Sequence, residues 1–383
     1  MVVVDERAAL HDAVRELAPE ISARAQETEA LRAVPADLFD RIKRAGLTRL
    51  ALPVGLGGLE ADPFTIIEVI EDLSAADGST GWTTVISNAT AFLAWLEPAV
   101  ARDLLGGDAD VASTSMFGPL GTAVEDGDGQ LVLNGRWPFS SGAPGAELIQ
   151  VGVFVMDGDA PRNRPDGMPD WRFAYLRRDE VQIEDTWYAS GLKGTGSHDV
   201  VCDGVRIPAE RTAMPMFDIA PHEGPLWRLP FFCLVEPLMA GFPLGVARRA
   251  LDEITQLART KRRGMSATTM AEDRVVRLAL AHAEGGLQAA RAFVLDAVDE
   301  VWSIATAGER PGLAQERRLG LAFQQAMKAA TEAVDTAYRL GGAGAVYDTS
   351  PLQRCFRDIH AGAQHIVFSD DNWIEYATYR LNG

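Results

Sequence analysis

Four short segments of this sequence place hydroxyl, imidazole and basic side chains next to glycines, a pattern suited to chemistry on a bound planar group. The first segment spans residues 135–142 and has the sequence Gly-Arg-Trp-Pro-Phe-Ser-Ser-Gly. A strand that ends in this way can bring an aromatic face and hydroxyl groups against a planar ring, and glycine lets the backbone approach closely. On spacing alone, a strand followed by an ordinary Ser-Gly turn is the commoner explanation.

A second segment, residues 191–199, alternates glycines with hydroxyl residues in the sequence Gly-Leu-Lys-Gly-Thr-Gly-Ser-His-Asp. Backbone N–H groups in such a segment can bind the edge of a ring or a phosphate. A strand follows and ends with Val-Arg-Ile-Pro at residues 205–208. A glycine-rich string by itself is weak evidence, and this longer string within a β domain predicts a binding loop more strongly.

A basic run at residues 259–263 contains four positive charges in a protein whose net charge is −18, from 36 Lys and Arg against 54 Asp and Glu. By composition alone, the run is as readily a solvated helix end, stabilised by the helix macrodipole, as an anion site. The acidic balance argues against nucleic acid and anionic membranes as partners. An anionic ligand is therefore expected only where basic residues concentrate, as they do in this run.

The fourth segment, residues 341–365, carries side chains suited to acid-base work. One helix ends at glycines that permit close approach of a cofactor to the backbone: Gly341, Gly342 and Gly344. Pro351 then starts a helix predicted over 351–378. Asp358 and His365 lie seven residues apart on it, so they would share a face about 10 Å apart along the axis. His360 would point about 140° away from His365, so only one of these histidines can face a given site.

Apolar periodicity divides the chain into three regions and predicts an α+β fold that is mostly α. Residues 1–109 show helical spacing, and residues 110–215 alternate apolar and polar side chains around glycine-rich turns, as a small β domain does. Residues 216–383 return to helices that are long enough for an antiparallel four-helix bundle. These helices are predicted at about 236–261, 270–305, 312–340 and 351–378.

Cysteine spacing and the lengths of the apolar runs indicate the cellular compartment. Cys202, Cys233 and Cys355 are far apart and lack CxxC spacing, which argues against both a disulfide framework and a zinc site, and we expect no metal. Each cysteine is predicted to be a small buried hydrophobe. Since the N-terminus lacks the basic head and apolar centre of a signal peptide, and no run of about 18 apolar residues occurs, the protein is predicted to be cytoplasmic.

Together these segments resemble the two-component (group D) flavin-dependent monooxygenases, over nearly the whole chain. That family has the acyl-CoA dehydrogenase fold: an N-terminal helical domain, a middle β-barrel-like domain and a C-terminal four-helix bundle, in the order predicted here. In acyl-CoA dehydrogenases an Arg-Asp pair is followed about two helical turns later by the Glu that removes the α-proton of the thioester. Here Arg357 and Asp358 are followed by His365 and Ile366, with no carboxylate before Asp370. A fold that keeps its flavin pocket without this base implies different chemistry.

The resemblance implies a role for the residues nearest the flavin ring. Ser141 or Ser140 hydrogen-bonds the flavin in the region of N5. Trp137 packs against the ring, and Phe139 belongs to the same cofactor-binding segment. His365 lies near C4a and N5, where it assists the reaction with oxygen.

The other cofactor contacts implied by the resemblance fall in the remaining three segments. One or more of the basic residues binds the flavin phosphate, often across a subunit interface, through charge-assisted hydrogen bonds. In chain order these contacts are Thr195, Gly196 and Ser197; Lys261, Arg262 and Arg263; and Gly341 and Gly342.

A departure from the family concerns the substrate. Members that hydroxylate phenols usually carry a His in the helix after Gly81-Trp82, where it hydrogen-bonds the substrate hydroxyl. This sequence has Asn88 and Thr90 there and no His in that helix. Trp82, Asn88 and Thr90 are therefore the candidate substrate contacts, and a simple phenol is disfavoured as the substrate.

The function implied is that of an oxygenase component. Reduced flavin, FMNH2 in preference and FADH2 as the alternative, would come from a separate NAD(P)H:flavin reductase, because this chain shows no dinucleotide fingerprint of its own. Oxygen adds at C4a in this family, and the hydroperoxide must be shielded from water in a dry pocket. The substrate predicted is a polycyclic aromatic or polyketide intermediate, which would be hydroxylated. N-oxidation of an amino sugar is the alternative within the class.

Two other classes of protein remain open. A true acyl-CoA dehydrogenase would need a base from another helix, such as Glu236 or Glu284. A scaffold that keeps the fold and binds no flavin is the other class.

Because the family fold buries its bundle against a copy of itself, and the apolar helices at 236–261 and 312–340 carry more hydrophobic surface than one chain can cover, we expect a homotetramer.

Overall fold

In the computed structural model, which describes residues 6–262, 264 and 267–382, helices form the first third of the chain. Within those residues this part has six α-helices: α1 (Glu6–Ala23), α2 (Ala25–Leu31), α3 (Ala36–Arg44), α4 (Pro63–Ala76), α5 (Gly78–Ser87) and α6 (Pro98–Leu105). A 3₁₀ stretch over Asn88–Trp95 continues α5.

Two aspartates fix where α4 and α5 begin. The Asp62 carboxylate accepts a hydrogen bond from the backbone N–H of Thr65 and caps α4. Asp77 lies in extended conformation between the two helices, and its carboxylate accepts from the backbone N–H of Thr80 and caps α5. Because Asp77 alone separates the helices, the chain turns sharply, and α5 is buried along its length except at Ile86.

The strands among the described residues all lie between residues 113 and 213 and form one sheet. They are β1 (Ser113–Glu125), β2 (Gln130–Ser140), β3 (Leu148–Asp157), β4 (Ala160–Pro161), β5 (Trp171–Arg177), β6 (Gln182–Glu184), β7 (His198–Pro208) and β8 (Thr212–Ala213). Their order is β6-β7-β2-β1-β3-β5-β8, with β4 beside β3. β1 and β3 are parallel, and the other pairs are antiparallel.

Over the described residues after the sheet, five α-helices follow: α7 (Phe231–Thr260), α8 (Arg274–Thr306), α9 (Leu313–Gly341), α10 (Pro351–Gly362) and α11 (Asp371–Asn382). α7 packs on both α4 and α9, and so joins the N-terminal helices to the bundle. By length and composition α7 is apolar enough to cross a membrane, yet 89% of its most apolar window is buried inside the protein. It is the core helix of the fold. Cys202, Cys233 and Cys355 are free and buried, as predicted.

The fourth bundle helix, predicted over 351–378, is interrupted. α10 ends at Gly362, whose backbone packs so closely on Phe242 that a Cβ there would lie 2.4 Å from that ring. The chain then makes a turn before α11 begins. Since His365 lies in this turn, the prediction that Asp358 and His365 share one helical face is wrong.

The physical reason given for assembly also needs correction. Most large apolar residues of α7 and α9 are buried or half-buried within the single chain, and Phe232 and Leu313 are the exposed ones among the described residues. Large apolar side chains are instead exposed elsewhere in the bundle, at Val275 and Leu278 on α8 and at Ile374 and Leu381 on α11. The expectation of a homotetramer therefore loses the argument from the apolar surface of these two helices, and an interface is expected at α8 and α11 instead.

Candidate active site

A cavity of about 660 Å³ lies where α5, β1, α7 and the segment after α10 meet. This volume is typical of small-molecule sites. Its lining is mainly apolar and aromatic, and includes Trp82, Ile86, Phe92, Phe117, Leu238 and Met239. The polar side chains of the lining are Ser115, Ser141, Ser190, Ser197, Gln364 and His365. Among the described residues around this cavity, none is Asp, Glu, Lys or Arg.

On the sheet side of the cavity, three hydroxyl groups form a continuous hydrogen-bonded chain. The Trp82 indole Nε1 lies 3.1 Å from Ser141 Oγ. Ser141 Oγ lies 2.7 Å from Ser197 Oγ, which lies 2.6 Å from Thr195 Oγ1. The Thr195 hydroxyl in turn lies 2.9 Å from the carbonyl oxygen of Leu192. All four side chains are buried.

The two ends of this chain fix its direction. An indole N–H can only donate and a carbonyl oxygen can only accept. Thr195 therefore donates to Leu192, Ser197 donates to Thr195, and Ser141 donates to Ser197. Each hydroxyl has then used its one proton. Ser141 and Ser197 line the cavity, and each can only accept a further hydrogen bond from a ligand.

The loop that carries these hydroxyls is anchored to α10. Leu192 has a left-handed backbone, with φ of 50°, and its N–H donates to Asp358 Oδ1 at 2.6 Å. At Gly191 a Cβ would lie 2.0 Å from the carbonyl oxygen of Arg357, so the loop requires glycine there. Asp358 is fully buried, and burial raises its pKa to about 7, with the Asp77 carboxylate acting in the same direction. Asp358 thus connects the C-terminal helices to the loop.

His365 is the titratable group of the cavity lining. Its ring packs edge-on against Trp82, with centroids 5.4 Å apart. Nδ1 accepts a hydrogen bond from the backbone N–H of Val367 at 3.3 Å. Burial lowers the pKa of His365 to about 4, so the ring is neutral at pH 7. Because Nδ1 is an acceptor, we assign the single ring proton to Nε2, where it can be donated to a ligand.

A larger cavity of about 1120 Å³ lies between α3 and the sheet. Its lining is more polar and includes Asp40, Lys43 and Arg177. It does not contain Ser141, Ser197 or His365, although Thr195 borders it. We therefore take the smaller, apolar cavity as the candidate active site, since it combines few polar groups with a dry lining.

Comparisons with known proteins show the family to which the chain belongs. The family model described as "Acyl-CoA dehydrogenase, N-terminal domain" matches residues 4–99. The model described as "Acyl-CoA dehydrogenase, C-terminal domain" matches residues 238–370. An indole-3-acetate monooxygenase from Pseudomonas putida is 33% identical, over 94% of this chain and 90% of that protein.

The chain belongs to the flavin-dependent monooxygenases of the acyl-CoA dehydrogenase fold. The flavin-dependent monooxygenase oxygenase subunit HsaA from Rhodococcus jostii is 29% identical, over 94% of this chain and 95% of that protein. The structure of XiaF from Streptomyces sp., in complex with FADH2 and glycerol, superposes with a TM-score of 0.89 at 25% identity, over 98% of this chain and 97% of that one. The resemblance inferred from the sequence is thereby confirmed.

The residues of this monooxygenase fit a reduced flavin. Reduced flavin carries a proton on N5, and Ser141 offers a hydroxyl oxygen that can only accept. Ser197 adds a second acceptor on the same wall. Neither of the two carboxylates considered as a relocated dehydrogenase base lines the cavity. Glu236 is buried against Gly320 of α9, and Glu284 contacts Gln288.

The structure brings several predicted site residues together. Trp82, Phe139, Ser141, Ser197 and His365 all line the cavity. Phe139 has a left-handed backbone, with φ of 64°, and 62% of the residue is exposed, so its ring is free to contact a ligand. Thr195 lies one hydrogen bond behind this wall and supports Ser197.

Four other predictions near the ring need correction, because these side chains are used in the protein interior. Trp137 is fully buried in the sheet core, where its indole donates to the Gly152 carbonyl at 2.7 Å. The Ser140 hydroxyl donates to the Trp137 carbonyl. The Asn88 amide bonds backbone groups of α5 and of the loop before α4, and Thr90 donates to the Thr48 carbonyl. None of the four lines the cavity.

The described residues of the basic run and the predicted glycine contacts do not line the cavity. Lys261 Nζ donates to the Gly341 carbonyl oxygen at 2.5 Å, so these two predicted residues do meet. Arg262 is exposed, and its backbone pairs with Thr269. Gly342 is exposed, and Gly196, with φ of 54°, packs on Pro144. Arg263 lies outside the described residues.

Sequence reasoning missed three features of the site. Trp82 was expected to touch substrate, and it also donates to Ser141. Asp358 was placed on a face with His365, and it instead holds the loop through Leu192. Ser115 on β1 lines the cavity and was not considered. Its signal was present as three consecutive hydroxyl residues, 113–115, at the start of a strand that is otherwise rich in apolar residues.

Proposed function

We propose that this protein is the oxygenase component of a two-component system, which receives reduced flavin from a separate NAD(P)H:flavin reductase and hydroxylates an aromatic substrate. The observation that carries the proposal is the hydroxyl chain that leaves Ser141 as an acceptor only. An acceptor at that place pairs with the N5 proton of reduced flavin and offers nothing to the N5 lone pair of oxidised flavin. The name of the HsaA relative, an oxygenase subunit, supports a separate reductase.

When bound, reduced flavin supplies the two electrons with which O2 is divided, so that one oxygen atom enters a C–H bond of the substrate and the other leaves as water. Ser141 would accept a hydrogen bond from the flavin N–H and keep that proton in place. His365 would donate its Nε2 proton toward the oxygen that is being transferred. Trp82 holds both groups, through its N–H to Ser141 and its ring against His365. The apolar lining excludes water and so limits loss of the oxidant.

The aromatic and aliphatic part of the lining suits the substrate. Phe92 and Phe117 belong to that part, with centroids 5.3 Å apart in an edge-to-face pair, and Leu238 and Met239 of α7 also line the cavity. Aromatic rings pack well on such a surface. An amino sugar would place several hydroxyl groups against these side chains without partners, so the aromatic substrate is the better supported alternative.

We further propose that the flavin phosphate contacts the basic run of a neighbouring subunit. Arg262 is exposed, and it does not line the cavity of its own chain. The exposed apolar residues of α8 supply a surface for such an assembly. Homotetramer formation, the phosphate role of Arg262 and Arg263, and FMN as the preferred flavin remain predictions. A cytoplasmic location would give the partner reductase access to NAD(P)H.

The experiment that tests the function is anaerobic titration with reduced and oxidised FMN and FAD, followed by rapid mixing with oxygenated buffer. We expect tight binding of reduced flavin, at least about tenfold weaker binding of oxidised flavin, and reoxidation slower than that of free reduced flavin. Bleaching of bound oxidised flavin by acyl-CoA thioesters would instead favour a dehydrogenase. Absence of reduced-flavin binding would favour a scaffold.

A further inference from the structure

The lack of charged side chains in the described cavity lining limits the charge that a substrate can carry. As described above, no acidic or basic side chain lines the cavity among the described residues, and the titratable group that does, His365, is neutral at pH 7. The walls therefore offer no formal charge to a bound molecule. The relative from Pseudomonas putida is named for indole-3-acetate, which is an anion at neutral pH. This chain offers that anion no counter-charge.

The cost of binding such an anion is large. A carboxylate in an apolar pocket without a partner loses its hydration, and the group takes up a proton instead. An ordinary carboxyl has a pKa near 4, so binding it protonated at pH 7 would weaken the affinity by up to about a thousandfold. Hydrogen bonds from neutral groups such as Ser190 and Gln364 can recover only part of that loss.

One polar side chain of the cavity lining has no hydrogen-bond partner among the described residues. Ser115 lines the cavity, and its buried hydroxyl makes no hydrogen bond. Gln150 pairs with Ser115 in the parallel register of β1 and β3. The Gln150 amide donates to the Ala89 carbonyl at 2.7 Å, and its buried Oε1 also lacks a partner. Buried polar atoms are normally satisfied. Ser115 lines the cavity and Gln150 does not, so the Ser115 hydroxyl indicates where a polar group of the ligand would bind.

We propose, on the basis of the function proposed above, that the substrate is an uncharged, planar aromatic molecule with one N–H or O–H group that bonds at Ser115. The aromatic pair Phe92 and Phe117 contacts its rings. The neutral walls reject its carboxylated analogues. The chain would then differ in substrate from the arylacetate enzymes to which it is similar in sequence.

The first test compares matched ligands that differ only in charge. Binding of indole-3-acetamide and indole-3-acetate is measured by equilibrium dialysis at pH 7, anaerobically, with the protein saturated with reduced FMN and again without flavin. The pair naphthalene-2-carboxamide and naphthalene-2-carboxylate serves as a second scaffold. The amides are expected to bind at least about tenfold more tightly than the anions. Equal or tighter binding of the anions, or no binding of either pair, overturns the proposal.

A gain-of-charge variant sharpens this result. Ile86 lines the cavity from α5 and is half-buried. Ile86→Lys should strengthen indole-3-acetate binding by about tenfold and leave the amide no stronger. Ile86→Met, which has similar bulk and no charge, should bind the anion as weakly as the wild-type protein does. Circular dichroism and thermal unfolding of both variants confirm that they fold. If the two variants bind the anion equally, the missing cation is not what rejects it.

A second variant tests the polar position. Ser115→Ala should weaken binding of indole by about three- to tenfold and leave binding of N-methylindole unchanged, because only indole can donate to the hydroxyl. An equal loss for both ligands would remove Ser115 from the proposal. Failure of the wider function is distinguishable. If the protein does not bind reduced flavin at all, the oxygenase function fails, while the contrast between amide and anion can still be measured without flavin.

Discussion

The two walls of the cavity differ in how their polar groups are satisfied. On the sheet side, Ser141, Ser197 and Thr195 form a chain in which every hydroxyl proton is already used. In another part of the lining, Phe92, Phe117, Leu238 and Met239 form an apolar surface, and the Ser115 hydroxyl has no partner among the described residues. A fully bonded wall is rigid and presents one fixed set of acceptors. A wall of apolar side chains selects mainly by shape and by the absence of charge.

This difference indicates which partner each wall receives. The wall with fixed acceptors suits a ligand whose chemistry is constant, which is the flavin. The apolar wall suits a ligand that varies between related enzymes, which is the substrate. The rigid wall is also tied to the C-terminal helices through Asp358 and Leu192. Changes to the anchor, to His365 and to the hydroxyl chain should therefore have separable effects.

The largest expected effect comes from the anchor. The pKa of Asp358 is raised to about 7 from the ordinary value of 3.8. Between these values the native protein holds a proton that the unfolded chain has lost, so the free energy of unfolding falls as pH rises through this window. Between pH 5 and pH 8, the stability that Asp358 contributes falls by on the order of 3 kcal/mol. Asp358→Asn keeps an acceptor for the Leu192 N–H and should remove most of this pH dependence.

Urea denaturation at pH 5 and pH 8 measures this effect. The control is Asp12→Asn, which changes an exposed aspartate that is ion-paired with Arg15. The control should follow the wild-type pH dependence. Because the lowered pKa values of His365, His198 and His222 raise stability over the lower part of this range, the measure is the difference in the free energy of unfolding between the wild type and Asp358→Asn. A difference that does not change between pH 5 and pH 8 would contradict the assignment of a raised pKa to Asp358.

The second-largest effect is expected at His365, the residue proposed to donate to the oxygen. His365→Ala removes the Nε2 donor, and the ratio of hydroxylated product to hydrogen peroxide should fall by up to about a hundredfold. Since the pKa of His365 is lowered to about 4, its protonation should cause no pH dependence of this ratio between pH 6 and 8. His360→Ala is the matched control, because His360 pairs with Asp335 outside the cavity. If His360→Ala alone uncouples oxygen from product, the assignment of His365 is wrong.

A smaller effect is expected at the hydroxyl that meets the flavin. Ser141→Ala removes the acceptor for the flavin N5 proton, so the preference for reduced over oxidised flavin should fall by about tenfold. Binding constants from anaerobic titration measure this ratio. Ser140→Ala removes a neighbouring buried hydroxyl that donates to the Trp137 carbonyl, and it should leave the ratio unchanged. An unchanged ratio in Ser141→Ala would place the N5 contact elsewhere.

The fold and the wall that carries the hydroxyl chain could be predicted from the sequence, since apolar periodicity and the two glycine-containing segments are local signals. Ser141 and Ser197 could be predicted because each stands beside a glycine in a short motif. His365 was predicted by resemblance, although the helix argument for it failed. That failure has a tertiary cause: the helix ends at Gly362, where the backbone packs on Phe242.

The errors concern side chains whose roles depend on distant partners. Trp137 has the right neighbours in sequence to meet a ring, yet its own ring fills the space above Gly121 and Gly135 in the sheet. Asn88 and Thr90 bond backbone groups some forty residues away in the sequence, and no local pattern encodes contacts at that separation. The direction of the hydroxyl chain was likewise hidden, because its donor, Trp82, comes from a separate helix.

The smallest effect is expected at the far end of the chain. Thr195→Val removes the link between Ser197 and the Leu192 carbonyl, so the Ser197 hydroxyl loses its fixed acceptor and the Ser141 proton is no longer held in one direction. Ser141 can then donate to the N5 lone pair of oxidised flavin. We expect binding of oxidised flavin to strengthen by about threefold while binding of reduced flavin changes little. Thr90→Val is the matched control, because Thr90 is also a buried threonine that donates to a carbonyl. It should lower stability by a similar amount and leave the ratio of the two binding constants unaltered. If both variants shift that ratio equally, the effect comes from packing, and the direction of the hydroxyl chain does not set the redox preference.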